Sequence, residues 1–155
     1  MDERVKAIPS EFRGATPYLA VHDAARAIEF YRHAFDAHEL MRLTDTQGKI
    51  GHAEIAIGEA RILLSDEYPD RGVSAPPALG GSPVSLLVYV ADVDQVVHQA
   101  TAAGAKVLAP IADRFYGDRS AKLEDPFGHV WMIATHMEDV SPDEMRKRAA
   151  AMFGA

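Results

Sequence analysis

His52 and Glu54 lie two residues apart in the run Ile50-Gly51-His52-Ala53-Glu54-Ile55-Ala56-Ile57. The run alternates, and side chains two apart on a strand share a face. His52 and Glu54 therefore stand together, opposite Ile55 and Ile57. A carboxylate beside an imidazole can orient it as a general base, and both are ligands for first-row divalent ions. The plain alternative is a polar pair at a surface or pocket rim. A second set, Lys122 and Glu124, lies in the stretch 119–124, and Glu124 is 70 residues beyond Glu54. Tyr116, Asp118 and Arg119 precede it. Arg119 could clamp an anion or form a rim salt bridge with Asp118 or Asp125. His136 alternates with Met132 and could reach a pocket mouth. His22, His33, His38 and His98 fall at element edges and read as solvated, and His129 sits in a turn and reads as structural. There is no cysteine, which removes disulfides, thiolate nucleophiles and thiolate metal sites.

The elements that must hold these residues follow from spacing. Thr16 to Val21 reads as a short strand, with Pro17 at its edge. Asp23 is an N-cap, and Ala24, Ala27, Ile28, Tyr31 and Phe35 keep helical spacing. Strands follow at 37–44, 50–57 and 60–65. Residues 66–83 hold Pro69, Pro76, Pro77 and Pro83 with three glycines and read as a linker. The order then repeats. A strand covers 84–90, Asp92 caps a helix ended by Gly104, and strands cover 106–112, 119–124 and 130–135. Asp125-Pro126-Phe127-Gly128 is turn chemistry between the last two.

Asp23 and Asp92 differ by 69 residues, and Gly58 and Gly128, like Glu54 and Glu124, differ by 70. Matching elements at a near-constant offset mark a duplicated unit. The expected fold is α+β, two tandem β-α-β-β-β modules at 15–65 and 84–136, after a mobile lead at 1–14. Ser141-Pro142-Asp143-Glu144 opens a last helix over 141–153, with Met145, Ala149 and Met152 as its docking stripe.

A formal net charge of −7 without a basic run argues against nucleic acid and anionic membranes as partners. No stretch has the length of a membrane span, and Met1 to Ala15 lacks the apolar core of a secretory leader. The expectation is a cytoplasmic protein.

The tandem β-α-β-β-β order, with Ala-Ile-Glu-Phe-Tyr at 27–31 and Asp-Pro-Phe-Gly-His-Val-Trp at 125–131, resembles the vicinal oxygen chelate superfamily. That superfamily contains glyoxalase I, extradiol dioxygenases and the bleomycin-binding resistance proteins. The last stretch is similar to a glyoxalase-like group related to a protein of bacterial phosphonate operons. The resemblance implies half-barrels facing each other around a pocket, and a homodimer. It also implies that metal ligands, where a member has them, fall at Thr16, Ile62, Ser85 and Met132. None of these is His, Asp or Glu, so no metal and no cofactor is expected. With those four facing inward, Tyr18, Leu64, Leu87, Tyr89 and Val130 join them by alternation, with His52, Glu54, Lys122, Glu124 and Tyr116 around them. Trp131 faces the helices. The expected function is metal-free binding of a small molecule, such as drug sequestration. The alternatives are a metal-dependent lyase or isomerase with displaced ligands (His52, Glu54, Glu124 or His136), or a metal-independent enzyme using His52 and Glu54.

Overall fold

The computed structural model describes residues 5–154. Strand β1 (Tyr18–Val21), helix α1 (Ala24–Phe35) and strands β2 (His38–Thr44), β3 (Ile50–Ile57) and β4 (Ala60–Asp66) form the first module. Strand β5 (Ser85–Tyr89), helix α3 (Val93–Ala102) and strands β6 (Lys106–Asp113), β7 (Asp118–Glu124) and β8 (Val130–His136) form the second. Between them lie a 3-10 turn (Pro69–Arg71) and the short helix α2 (Pro76–Leu79); helix α4 (Pro142–Phe153) follows. Each module is a four-stranded mixed sheet, ordered β1-β4-β3-β2 and β5-β8-β7-β6. The expected α+β fold of two tandem modules is the one observed.

Each first helix begins in the same way. Asp23 Oδ1 accepts the Arg26 N–H at 3.1 Å and Asp92 Oδ1 the Gln95 N–H at 3.1 Å. Such a cap satisfies one of the orphan donors of a helix N-terminus. The next donor is met from the last strand. Ala24 N–H donates to Asp66 Oδ1 at 2.7 Å, and Val93 N–H to Thr135 Oγ1 at 2.8 Å. Ala24 and Val93 are 69 apart, as are Asp66 and Thr135, so a carboxylate and a hydroxyl do the same work in the two copies.

The ladders correct the register of the repeat. Leu63 lies beside Tyr18 and Glu54, whereas Met132 lies beside Leu87 and Lys122. Leu63 and Met132 are therefore equivalent, and Glu54 corresponds to Lys122, not Glu124. The 70-residue spacing of Gly58 and Gly128 reflects a longer turn between β7 and β8. Ile62 and Leu64 consequently face the helices and belong to the core; Ile62 is 4% exposed. Leu63 takes the open-face position expected for Ile62.

One core joins the modules. Trp131 packs on Phe35 and Tyr31 of α1, with ring centroids 4.7 and 5.4 Å apart. The turn at 125–129 reaches across as well. Asp125 is 3% exposed. Its Oδ2 accepts from Tyr31 Oη at 2.6 Å and Trp131 Nε1 at 2.9 Å, and its Oδ1 accepts from the N–H of Phe127 at 2.9 Å and of His129 at 3.0 Å. His129 Nε2 meets the Ala20 carbonyl at 2.8 Å, which is a structural role. The linker closes on the same turn. Gly128 has φ +89°, and a Cβ there would sit 2.9 Å from Pro76 Cβ, so glycine is needed for both backbone shape and space.

Helix α4 docks through Arg148 rather than through a methionine stripe. The guanidinium bonds Glu138 at 2.9 and 3.0 Å, Glu144 at 3.1 Å and the Phe115 carbonyl at 3.1 Å. Met145 and Met152 are exposed. A helix this polar is held by charge-assisted bonds, not by core burial.

Candidate functional site

Each sheet has one face on the helices and one open face. On the first open face stand Tyr18 from β1, His52 and Glu54 from β3, and Arg61 and Leu63 from β4, as the ladders place them. A bulge between Leu43 and Thr44 shifts the register, so Ile50 returns to the core while His52 stays on the open side. These side chains form one chain of bonds. Tyr18 Oη lies 2.7 Å from His52 Nδ1, His52 Nε2 lies 3.3 Å from Glu54 Oε1, and Arg61 donates to Glu54 Oε2. Burial, and then the Glu54 charge, push the Tyr18 phenol above its ordinary value, so it is a donor at neutral pH. A carboxylate only accepts, so Glu54 selects the tautomer with the ring N–H on Nε2, in which Nδ1 accepts from the Tyr18 O–H. The arrangement can hold a ligand by hydrogen bonds or pass a proton along a fixed path.

On the second open face Ser85, Leu87 and Tyr89 of β5 stand beside Met132 of β8 and Lys122 and Glu124 of β7. Tyr89 Oη donates to Asp118 Oδ2 at 2.6 Å; His136 Nδ1 is 2.8 Å from Asp118 Oδ1, and its Nε2 is 2.8 Å from Asp139 Oδ1. Bonds to Asp118 and Asp139 raise the His136 pKa. Burial pushes the Asp118 carboxyl up, but bonds from Tyr89 and His136 hold it below its ordinary value. The signs are opposite. The His136 contribution is complete below the ordinary imidazole value and fades as pH rises through the raised one. The Asp118 contribution is present above the ordinary carboxylate value and fades as pH falls through the depressed one. Melting temperature is expected to decline as pH rises from about 6.5, and His136→Asn to flatten that limb; an unchanged profile in differential scanning calorimetry would contradict the linkage.

Several expected positions are resolved differently. Arg119 pairs with Asp94 at 2.8 and 2.9 Å and with Asp113 at 3.1 Å, not with Asp118 or Asp125, so it is committed to α3 and β6. Tyr116 is half-buried and meets Phe115 edge to face at 5.2 Å. Thr16 precedes β1 and is half-buried. His22, His33, His38 and His98 are exposed, as expected. Sequence reasoning missed Arg61, whose parity with Leu63 was legible, and the Asp125 network, whose four donors come from residues 127–131 and from Tyr31, far off in the chain.

A metal centre of the superfamily's kind does not fit this chain. Thr16, Ser85 and Met132 offer hydroxyls and a thioether, Ile62 faces the core, and Leu63 in its place has no donor atom. Hard or borderline divalent ions want carboxylate or imidazole. Among the described residues no three His, Asp or Glu side chains converge on a point.

Tyr18, Leu43, Leu87 and Tyr89 are 54, 56, 53 and 56% exposed. A cup on the first face is lined by the first module and the linker alone. The groove between the modules is lined by Arg61, Leu87 and Tyr89 of the open faces as well as by core-facing Leu86, Val88 and Trp131.

Comparison with known proteins agrees with this architecture. Uncharacterized proteins of Mycobacterium bovis and Mycobacterium tuberculosis are 41% identical over 134 residues, covering 84% of this chain and 88% and 79% of theirs. The crystal structure of TioX from a Micromonospora species superposes with a TM-score of 0.62 at 26% identity, covering 83% of this chain and all of that one. A PhnB protein from Bacillus cereus superposes at 0.63 with 20% identity, covering 79 and 99%, a likeness of fold. No helix of the described residues is long and apolar enough to cross a membrane. The model of the Glyoxalase/Bleomycin resistance protein/Dioxygenase superfamily matches residues 15–133, and with the tandem modules in place the chain belongs to that family.

Proposed function

We propose that this protein binds a small organic molecule without a resident metal, in a pocket closed between the open face of the first module of one copy and that of the second module of another. One observation carries the reading. Both faces present aromatic and aliphatic side chains to solvent beside a few placed polar groups, with Tyr18, Leu43, Leu87 and Tyr89 each more than half exposed. An apolar wall with sparse polar anchors suits a ligand pocket, and apolar faces of this kind are usually covered. Two copies related by a twofold cover both faces with one operation.

The bond chain Tyr18–His52–Glu54–Arg61 favours a second reading, metal-independent proton transfer on the bound molecule. Here Tyr18 is the group nearest a ligand, and His52 accepts or returns its proton while Glu54 and Arg61 fix the ring. A thermal-shift screen of small organic molecules tests the binding reading, with elemental analysis of protein purified without chelators. The expected result is a saturable stabiliser and far less than about one first-row metal per chain. One tightly held equivalent, lost on His52→Ala or Glu54→Ala, would overturn the metal-free reading. If a bound compound is turned over, and His52→Gln stops turnover while leaving affinity within about threefold, the protein is the enzyme of the second reading rather than a sequestering protein.

A further inference from the structure

The first open face holds a cup of about 630 Å³ beside Tyr18. Its floor includes Tyr18 and Ala20 of β1 and Ser65 of β4; its wall is the linker, with Tyr68 and Arg71. The wall is a closed turn. Tyr68 N–H donates to the Val73 carbonyl at 2.9 Å and Val73 N–H to the Tyr68 carbonyl at 3.0 Å, so Arg71 is carried on a loop tied at its base.

The charges around this cup are unequally committed. Asp45 Oδ1 accepts from the N–H of Gln47 and Lys49 at 2.8 and 2.9 Å, and Tyr68 Oη reaches Asp45 Oδ2 at 3.3 Å. Lys49 Nζ donates to the Glu67 carbonyl at 2.8 Å and stands 4.6 Å over the Tyr68 ring. Asp66, below the floor, is spent on two backbone N–H groups. Arg71 differs. Among the described residues no carboxylate lies within ion-pairing distance of it, and its guanidinium stands 5.7 Å over the Tyr68 ring. Its fork of donors is uncommitted and stacked, which is the form in which arginine takes an oxyanion through two parallel bonds.

We propose that this cup is an anion subsite, and that the molecule bound on the first open face carries a carboxylate or comparable oxyanion next to an apolar or aromatic body. Arg71 holds the oxyanion, the Ser65 hydroxyl lies within the same cup, and the Tyr18 and Tyr68 rings flank the body. The net charge of −7 would by itself steer cations toward the protein; Asp45 also lines the cup but its oxygens are taken by the Gln47 and Lys49 N–H groups and by Tyr68 Oη, which leaves the Arg71 fork as the uncommitted charge there. The inference rests on the reading that the first open face lines a ligand pocket.

The test uses the full chain with three probes of like shape, benzoate, benzyl alcohol and benzamidine, titrated by ¹H–¹⁵N NMR. Benzoate is expected to bind at least tenfold more tightly than the other two and to shift signals of Tyr68, Arg71 and Val73. Arg71→Gln is expected to weaken benzoate at least tenfold, and Arg71→Lys less. Arg71 is exposed, so both variants should fold, as amide spectra would show. If benzamidine binds on this face as tightly as benzoate, or Arg71→Gln leaves benzoate within twofold, the anion subsite is overturned while the binding reading stands. If no probe of any charge binds and the ligand screen is also empty, both fall together.

Discussion

Replacing Asp125 with alanine is expected to lower stability by about 3–5 kcal/mol, because one buried carboxylate satisfies four donors and each bond to a charged acceptor is worth about 1.5–3 kcal/mol before the cost of stranding its partner. Two of those donors, Tyr31 Oη and Trp131 Nε1, are side chains in the shared core. Neither can turn to water without opening the packing around Phe35. In a chain of 155 residues the loss corresponds to a fall in melting temperature on the order of 10 °C. Tyr31→Phe removes one donor and leaves the acceptor three others, so about 1–2 kcal/mol is expected. Chemical denaturation of both variants checks the ordering. If Asp125→Ala costs no more than Tyr31→Phe, the carboxylate is not the hub described above.

Leu87→Arg is expected to convert the proposed dimer into a monomer. Leu87 lies mid-strand on the second open face, beside Met132. A guanidinium buried there without a carboxylate partner would cost several kcal/mol, about a hundredfold or more in the association constant. Leu43→Arg, on the first open face, is expected to act alike, since each copy contributes both faces. Light scattering should read close to twice 16.9 kDa for the unaltered chain at micromolar concentration and close to 16.9 kDa for either variant. Because neither residue belongs to the core cluster, the monomers should keep their fold by circular dichroism. A single-chain mass for the unaltered protein would remove the dimer, and dimeric variants would move its interface elsewhere.

The repeat was readable because its signals are local. An N-cap Asp, a helical stripe and an alternating run each declare themselves within a few residues, and Asp23 and Asp92 do so in both copies. The pairing of β3 with β4 was equally local. The face on which each residue falls was less secure, since parity is counted from a turn, and turns differ in length. Counting from Gly58 and Gly128 displaced Ile62 by one position, and one position on a strand exchanges core for surface. His52 and Glu54 were found from alternation alone, but their partners were not. Tyr18 and Arg61 come from other strands, and their approach depends on which strands are neighbours. The role of Asp125 was hidden for a different reason. Asp-Pro-Phe-Gly reads fully as turn chemistry, and nothing in the turn announces that Tyr31, nearly a hundred residues earlier, completes it.

The crossing from that turn to α1 separates two histories that the repeat would otherwise merge. A duplicated segment suggests that each half once stood alone, with its own sheet and helix. In the present chain Trp131 closes over Phe35, Gln99 Nε2 donates to the Ala34 carbonyl at 2.9 Å, and Asp125 holds Tyr31. A half cut out at the linker would carry a bare apolar flank and a severed polar hub. The unit of inheritance is thus about half the chain, whereas the unit of cooperative melting is all of it. A calorimetric trace should show one transition, and neither half is a suitable piece to graft into another protein.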